Sequence, residues 1–222
     1  MSWLRAAQED LEAWSGMDPT MIGHGAERLR DLWNLSDKDP EKFYLRDDVG
    51  AAYVHDLTAW HASGAVAPWI EVVRRHAILR LKREARILDY GAGIGTYSLM
   101  LADMGMKVMA CEVNPILQDY IRYRTKKRGL DVEVHARPIG KFDMIVCLDT
   151  IEHLRRPADF LALAYNLLNP KGLLAATWTF HQSNGMHPMH HTQDKEPQFI
   201  KDLETLFSWV ERSWPVLMEA KS

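Results

Sequence analysis

The sequence predicts an α/β protein: a doubly wound, mostly parallel sheet with helices on both faces and a helical cap at the N-terminal end. Three observations lead there. From Ala85 onward, short apolar runs alternate with segments of helical periodicity, the order expected of parallel strands joined by crossover helices. Several of those runs, such as Met144-Ile-Val-Cys147, are apolar throughout, which suits strands covered on both faces. A turn with three alternate glycines follows the first of them, and in such sheets ligands lie beyond the carboxyl ends of the strands.

Residues 1–80 read as helices with irregular joints and form the expected cap. Leu4, Ala7, Leu11 and Trp14 recur at helical spacing until Ser15-Gly16 and Pro19 end the segment. A second helix is expected over 26–35, broken at 37–40. Val66 to Lys82 is a third, with Pro68 near its start and Trp69, Val72, Val73, His76 and Leu79 able to share a face. Residues 81–222 then form the ligand-binding unit. Arg86 to Asp89 is a strand, Tyr97 to Met104 a helix stopped at Gly105, and Lys107 to Glu112 a strand. Pro115 opens a helix that ends by Gly129. Val132 to His135 and Phe142 to Asp149 are strands, and Ala158 to Leu168 is a helix closed by Asn169-Pro-Lys-Gly172. Leu173 to Phe180 is a strand, Phe199 to Trp209 a helix and Trp214 to Glu219 a last strand.

Bulk properties exclude several classes. With 47% hydrophobic and 26% charged residues, the chain can fill a core and is not extensively disordered. A net charge of −3 gives no general attraction to nucleic acid or anionic membrane. Met1 to Asp10 lacks the apolar stretch of a signal peptide, and runs such as Leu173 to Trp178 are far too short to span a bilayer. Cys111 and Cys147 lie in apolar strand-like runs and read as reduced, buried thiols. The expected location is the cytoplasm.

The segment Ile87-Leu-Asp-Tyr-Gly-Ala-Gly-Ile-Gly-Thr-Tyr-Ser98 has the form D-x-G-x-G-x-G. A dinucleotide fingerprint needs G-x-G-x-x-G to bring a diphosphate to the helix N-terminus. Here the third glycine comes one residue early and Thr96 takes its place, so a cofactor without phosphates is expected. Glu112 ends the second strand, where a carboxylate can accept hydrogen bonds from both ribose hydroxyls.

From about Arg86 to Lys171 the chain resembles a class I S-adenosylmethionine-dependent methyltransferase, of the broad group that includes quinone-biosynthesis O-methyltransferases. The stretches that carry the resemblance are Leu88-Asp-Tyr-Gly-Ala-Gly-Ile-Gly95, Cys111-Glu-Val-Asn114, Phe142 through Leu154, and Leu168-Asn-Pro-Lys-Gly-Leu173. The resemblance implies a Rossmann-like, seven-stranded sheet with S-adenosylmethionine as cofactor. It implies that the backbone from Tyr90 through Gly91 and Ala92 to Gly93 cradles the methionine part, with Gly95 completing the turn and Asp89 orienting it. Glu112 would hold the ribose and Val113 would pack on adenine. Relatives usually carry an acid after the third strand that contacts the adenine amine; Ala136 or Arg137 occupies that place here.

Asp149-Thr-Ile-Glu-His153 begins where the fourth strand ends, and a helical turn there would put Asp149, Glu152 and His153 on one face. Two readings stand. One is a divalent metal held by these three and one of His187, His190 or His191, as in small-RNA terminal-ribose methyltransferases and metal-assisted quinone O-methyltransferases. The other is metal-free lining of the cofactor pocket, with Asp149 on the cofactor and His153 as general base beside Glu152. Basic residues crowd 122–128 and 74–83, which solvated helix faces explain more cheaply than nucleic acid. The Asn-Pro-Pro-Tyr motif of methyltransferases acting on exocyclic base nitrogens is absent. Phe43-Tyr44-Leu45, Tyr53, His55, Trp60 and His61 give the cap an aromatic patch, with Tyr44 and Tyr53 the first candidates for substrate contact.

The expected reaction is methyl transfer to an oxygen or nitrogen of a small-molecule acceptor. The alternatives are a metal-dependent RNA or nucleotide O-methyltransferase and a non-catalytic S-adenosylmethionine-binding partner subunit. The acceptor and the oligomeric state are not legible.

Overall fold

The structure is a computed structural model that describes residues 3–14, 24–180 and 195–221. Five helices come first: α1 (Trp3–Ala13), α2 (Gly25–Asn34), α3 (Pro40–Phe43), α4 (Asp47–Ala62) and α5 (Ala67–Arg80). The alternating part is β1 (Arg86–Tyr90), α6 (Thr96–Asp103), β2 (Lys107–Cys111), α7 (Pro115–Arg128), β3 (Val132–His135) and β4 (Phe142–Cys147). A 3₁₀ turn at Ile151–His153 leads to α8 (Pro157–Leu167), β5 (Leu168–Ala176), α9 (Glu196–Leu206), β6 (Phe207–Glu211) and β7 (Val216–Ala220).

The seven strands run in the order β3-β2-β1-β4-β5-β7-β6. All neighbours pair in parallel except β5 with β7 and β6 with β7. The order reverses between β1 and β4, so the crevice of this doubly wound sheet opens beyond Tyr90 and Cys147. Alternate residues along each strand feed opposite cores. Leu88, Met109, Ile145 and Cys147 join Phe160, Leu161 and Leu203 on one face, while Ile87, Val108, Met144 and Val146 join Val73, Met100 and Leu101 on the other. Each such aliphatic side chain contributes about 1.5–3 kcal/mol when fully buried.

Several elements differ from the sequence reading. Helix α4 lies in a stretch with no one-sided apolar stripe, because Val49, Gly50, Ala52, Val54, His55, Thr58 and His61 are buried around its circumference. It packs Val49 and Ala52 against α2 and α3, and Val54 against α1, Ile94 and α7. Asn169 to Gly172 do not merely close a helix: they lie within β5, looped out between the Phe142–Leu168 and Met144–Leu173 pairs. Asn169 Nδ2 there donates to Asp143 Oδ1 at 2.7 Å. The expected helix over 199–209 stops at Leu206. Phe207–Glu211 form an edge strand against β7, where the aromatic and β-branched run Phe207-Ser-Trp-Val210 suits a pleated surface.

The basic run on α7 turns partly inward. Arg124, Lys127 and Arg128 converge on the buried Asp10 of α1, and Arg122 bonds Asp119 and Gln118. Among the described residues, no helix is long and apolar enough to cross a membrane.

Candidate active site

At the end of β1 the chain must turn sharply beneath a ligand surface. Gly91 (φ +72°) and Gly93 (φ +54°) adopt the left-handed backbone that other residues avoid. A Cβ on Gly91 would lie 2.3 Å from Thr150 Oγ1, and one on Gly93 would lie 2.8 Å from Leu57 Cδ1. Amides of Gly91 and Ala92 donate to the Cys111 carbonyl oxygen at 2.9 and 3.1 Å, tying the turn to β2. Gly95 begins α6 and faces Ile121 of α7, so its place in the spacing serves helix packing. Asp89 also points away from the crevice: its Oδ2 accepts from Ser98 N at 3.0 Å and Ser98 Oγ at 2.6 Å, fixing the first turn of α6.

Glu112 is buried beside this turn. Its Oε2 accepts from Gly93 N and its Oε1 from Asn114 N, each at 2.9 Å. Burial pushes its pKa up to about 7, against the amides of Asn114 and Gly93, which favour the ionised form. Asn114, the last residue of the Cys111–Asn114 stretch, ties α7 to the N-terminal helices. Its Oδ1 accepts from Ile116 N and Leu117 N to cap α7, while its Nδ2 donates to Tyr44 O and Arg46 O in the cap.

Above these residues is a cavity of about 950 Å³. Ligand pockets span roughly 300–1,000 Å³, so this one has room for two molecules side by side. One wall holds Tyr90, Gly91, Gly93, Glu112 and Val113, with Ala136, Arg137 and Pro138 at its edge. Val113 is 46% exposed, an apolar surface presented to the crevice. The other wall comes from the N-terminal helices and includes Tyr44, Tyr53, Asp56, Leu57, Trp60 and Trp69. Asp149 and His153 also line the cavity. Asp149 has a left-handed backbone (φ +52°) and its amide donates to Thr177 Oγ1 at 2.7 Å.

Glu152 departs from the expected arrangement. It is 0% exposed and lies outside the cavity wall, because the 3₁₀ turn swings it inward while His153 faces out. Burial first, and Asp149 second, hold its carboxyl well above the usual carboxylate range. His153 Nδ1 and Tyr44 Oη are 2.6 Å apart. Among the described residues, no group of three or more His, Cys, Asp or Glu is placed to hold a metal ion. His187, His190 and His191, the remaining candidates, lie outside the described residues.

Residues 59–212 match a family model described as a methyltransferase domain. The chain belongs to the S-adenosylmethionine-dependent methyltransferases. A curated relative, the ubiquinone biosynthesis O-methyltransferase of Methylocella silvestris, is 26% identical over 77% of this chain and 67% of its own length. The enzyme of the same name from Nitrosococcus oceani is 31% identical over 46% of each chain. The chain thus spans from under half to about two thirds of these two relatives. Two solved structures share the fold: an O-methyltransferase family protein from Burkholderia thailandensis, with TM-score 0.64 and 16% identity, over 89% of this chain and 70% of the other. The second is PigF with SAH, with TM-score 0.61 and 16% identity over 90% and 69%.

The first wall suits this methyltransferase cofactor. On the expectations drawn from the sequence, the bare glycines would leave backbone open to its amino-acid part, Glu112 would meet the sugar, Val113 would offer an apolar face to the base and Asp149 would bring acid toward a cationic ligand. If Glu112 holds the ribose, its hydroxyls would bond the ionised carboxylate better than the protonated form. Affinity for S-adenosylhomocysteine is therefore expected to weaken as pH falls below about 7, by up to about tenfold per unit. Calorimetry from pH 8 to 5.5 checks this, and Glu112→Gln should flatten the dependence.

Proposed function

We propose that the chain transfers the methyl group of S-adenosylmethionine to a hydroxyl oxygen of a small aromatic acceptor. One observation carries the reading: a single cavity joins the glycine turn and Glu112 to an opposite wall of aromatic rings bearing the Tyr44–His153 pair. The names of the curated relatives, O-methyltransferases of ubiquinone biosynthesis, support oxygen over nitrogen. On this reading residues 1–80 close over the acceptor, residues 81–222 bind the cofactor, and the two buried free thiols suit a reducing compartment such as the cytoplasm.

When bound, the cofactor supplies an electrophilic methyl whose bond pair leaves with sulfur. The chain aligns the acceptor oxygen opposite that bond, excludes water and removes the hydroxyl proton. The last task is assigned to His153 on this reading. If Nδ1–H donates to Tyr44 Oη, the ring keeps its Nε2 lone pair as the basic position. Burial holds the Tyr44 phenol well above its ordinary pKa, so it stays a neutral partner. Tyr44→Phe is expected to lower kcat about tenfold, part of the roughly 10²–10⁴ given by a positioned base. KM for the cofactor should be unaltered. Transfer of labelled methyl to phenols and catechols tests the reaction itself. No transfer to any of them, with S-adenosylhomocysteine still bound, would point to a binding subunit.

A further inference from the structure

Asp56 is left over once the cofactor wall and the Tyr44–His153 pair have been assigned. It lies on α4, three residues after Tyr53 and four before Trp60, so all three share the helix face that lines the cavity. Trp60 is packed edge-on against Trp69, another wall residue, with ring centroids 5.5 Å apart. Among the described residues, no lysine, arginine or histidine nitrogen comes within 4.0 Å of the Asp56 carboxyl and no hydrogen-bond donor serves it. The two arginines on the cavity wall, Arg30 and Arg137, are both exposed. Asp56 is half-buried on the cavity wall, and its backbone is fixed where α2 crosses α4 at close range: a Cβ on Gly25 would lie 2.6 Å from Asp56 N. Burial, and then the Asp149 charge, raise its pKa to about 6, so it remains largely ionised at neutral pH.

An ionised, unpaired carboxylate among aromatic rings has a defined chemical complement. A neutral hydroxyl would satisfy its hydrogen bond alone. An ammonium group satisfies the bond, offsets the charge and gains from ring faces nearby. A carboxylate-bearing acceptor would meet repulsion from Asp56, Glu112 and Asp149 together. We infer that Asp56 is a specificity-determining residue that selects acceptors carrying a protonated amine distant from the hydroxyl to be methylated. This rests on the acceptor wall assigned above and deepens that reading.

The test uses the full chain saturated with S-adenosylhomocysteine and two probes of similar ring, dopamine and 4-methylcatechol. Wild-type protein is expected to bind dopamine at least about tenfold more tightly, the gain of one charge-assisted bond. Asp56→Asn, which keeps shape and loses charge, should erase that preference while S-adenosylhomocysteine affinity is unaltered. Equal affinities in the wild type, a preference kept by Asp56→Asn, or failure of both probes to bind would each overturn the inference. The wild-type comparison decides even if the variant does not fold. Failure of the wild type to bind S-adenosylhomocysteine would instead sink the cofactor reading beneath it.

Discussion

Asp10→Ala is expected to lower the unfolding free energy by about 3–5 kcal/mol, the penalty for removing one partner of a buried ion pair. Asp10 and Arg124 are both 0% exposed at their side chains, with Arg124 Nε donating to Asp10 Oδ2 at 2.8 Å. Arg128 and Lys127 reach the same carboxylate at 2.6 and 3.1 Å. Burial works to raise the Asp10 pKa, yet the bonds from Arg128 and Arg124 outweigh it and hold the group below its ordinary value. Without the carboxylate, the Arg124 guanidinium is left in the interior with the Ile94 carbonyl, 2.5 Å from Nη1, and the more distant Thr96 Oγ1. A domain is stable by only about 5–15 kcal/mol, so the loss is a large share of the whole. Urea unfolding at constant m-value checks it. A change below about 1 kcal/mol would mean that α1 does not depend on this pair. Ile94 lies inside the glycine turn, so S-adenosylhomocysteine should also bind Asp10→Ala less tightly.

Glu112→Ala should weaken S-adenosylhomocysteine binding by about 100-fold or more. Two bonds from ribose hydroxyls to a charged acceptor are worth about 1.5–3 kcal/mol each, and every 1.4 kcal/mol is roughly tenfold in affinity. The same side chain also accepts from Gly93 N and Asn114 N, so alanine leaves one amide of the glycine turn and one at the start of α7 without their acceptor. Calorimetry separates the two losses. Glu112→Gln retains an oxygen acceptor and the packing, and should fall between wild type and alanine. Unaltered affinity in the alanine variant would place the sugar elsewhere.

The sheet was readable because its strands are buried on both faces, which leaves an uninterrupted apolar signature at 87–88, 108–111 and 144–147. Spacing also exposed the glycine turn and Glu112. It could not distinguish glycines that line the cavity, Gly91 and Gly93, from one that packs against a helix, Gly95. Helix α4 was hidden because it is enclosed on several sides and carries buried His55, Thr58 and His61 where a surface helix shows an apolar stripe. Asp56 acquires its neighbours only from that enclosed helix, where it stands on one face between Tyr53 and Trp60. The pairing of Tyr44 with His153, 109 residues apart, is a product of tertiary docking that local pattern does not encode.

Gly50 of α4 meets the chain at Asn114 so tightly that a Cβ there would lie 2.0 Å from Asn114 Oδ1. The backbone of α4 is therefore seated directly on the short Asn114 side chain, which also holds Tyr44 O and Arg46 O, with no long, adaptable side chain between. On the proposed function, acceptor range would be retuned laterally, by exchanging the side chains that project from α4, while a side chain at position 50 would push α4 away from Asn114 and alter both walls of the cavity at once.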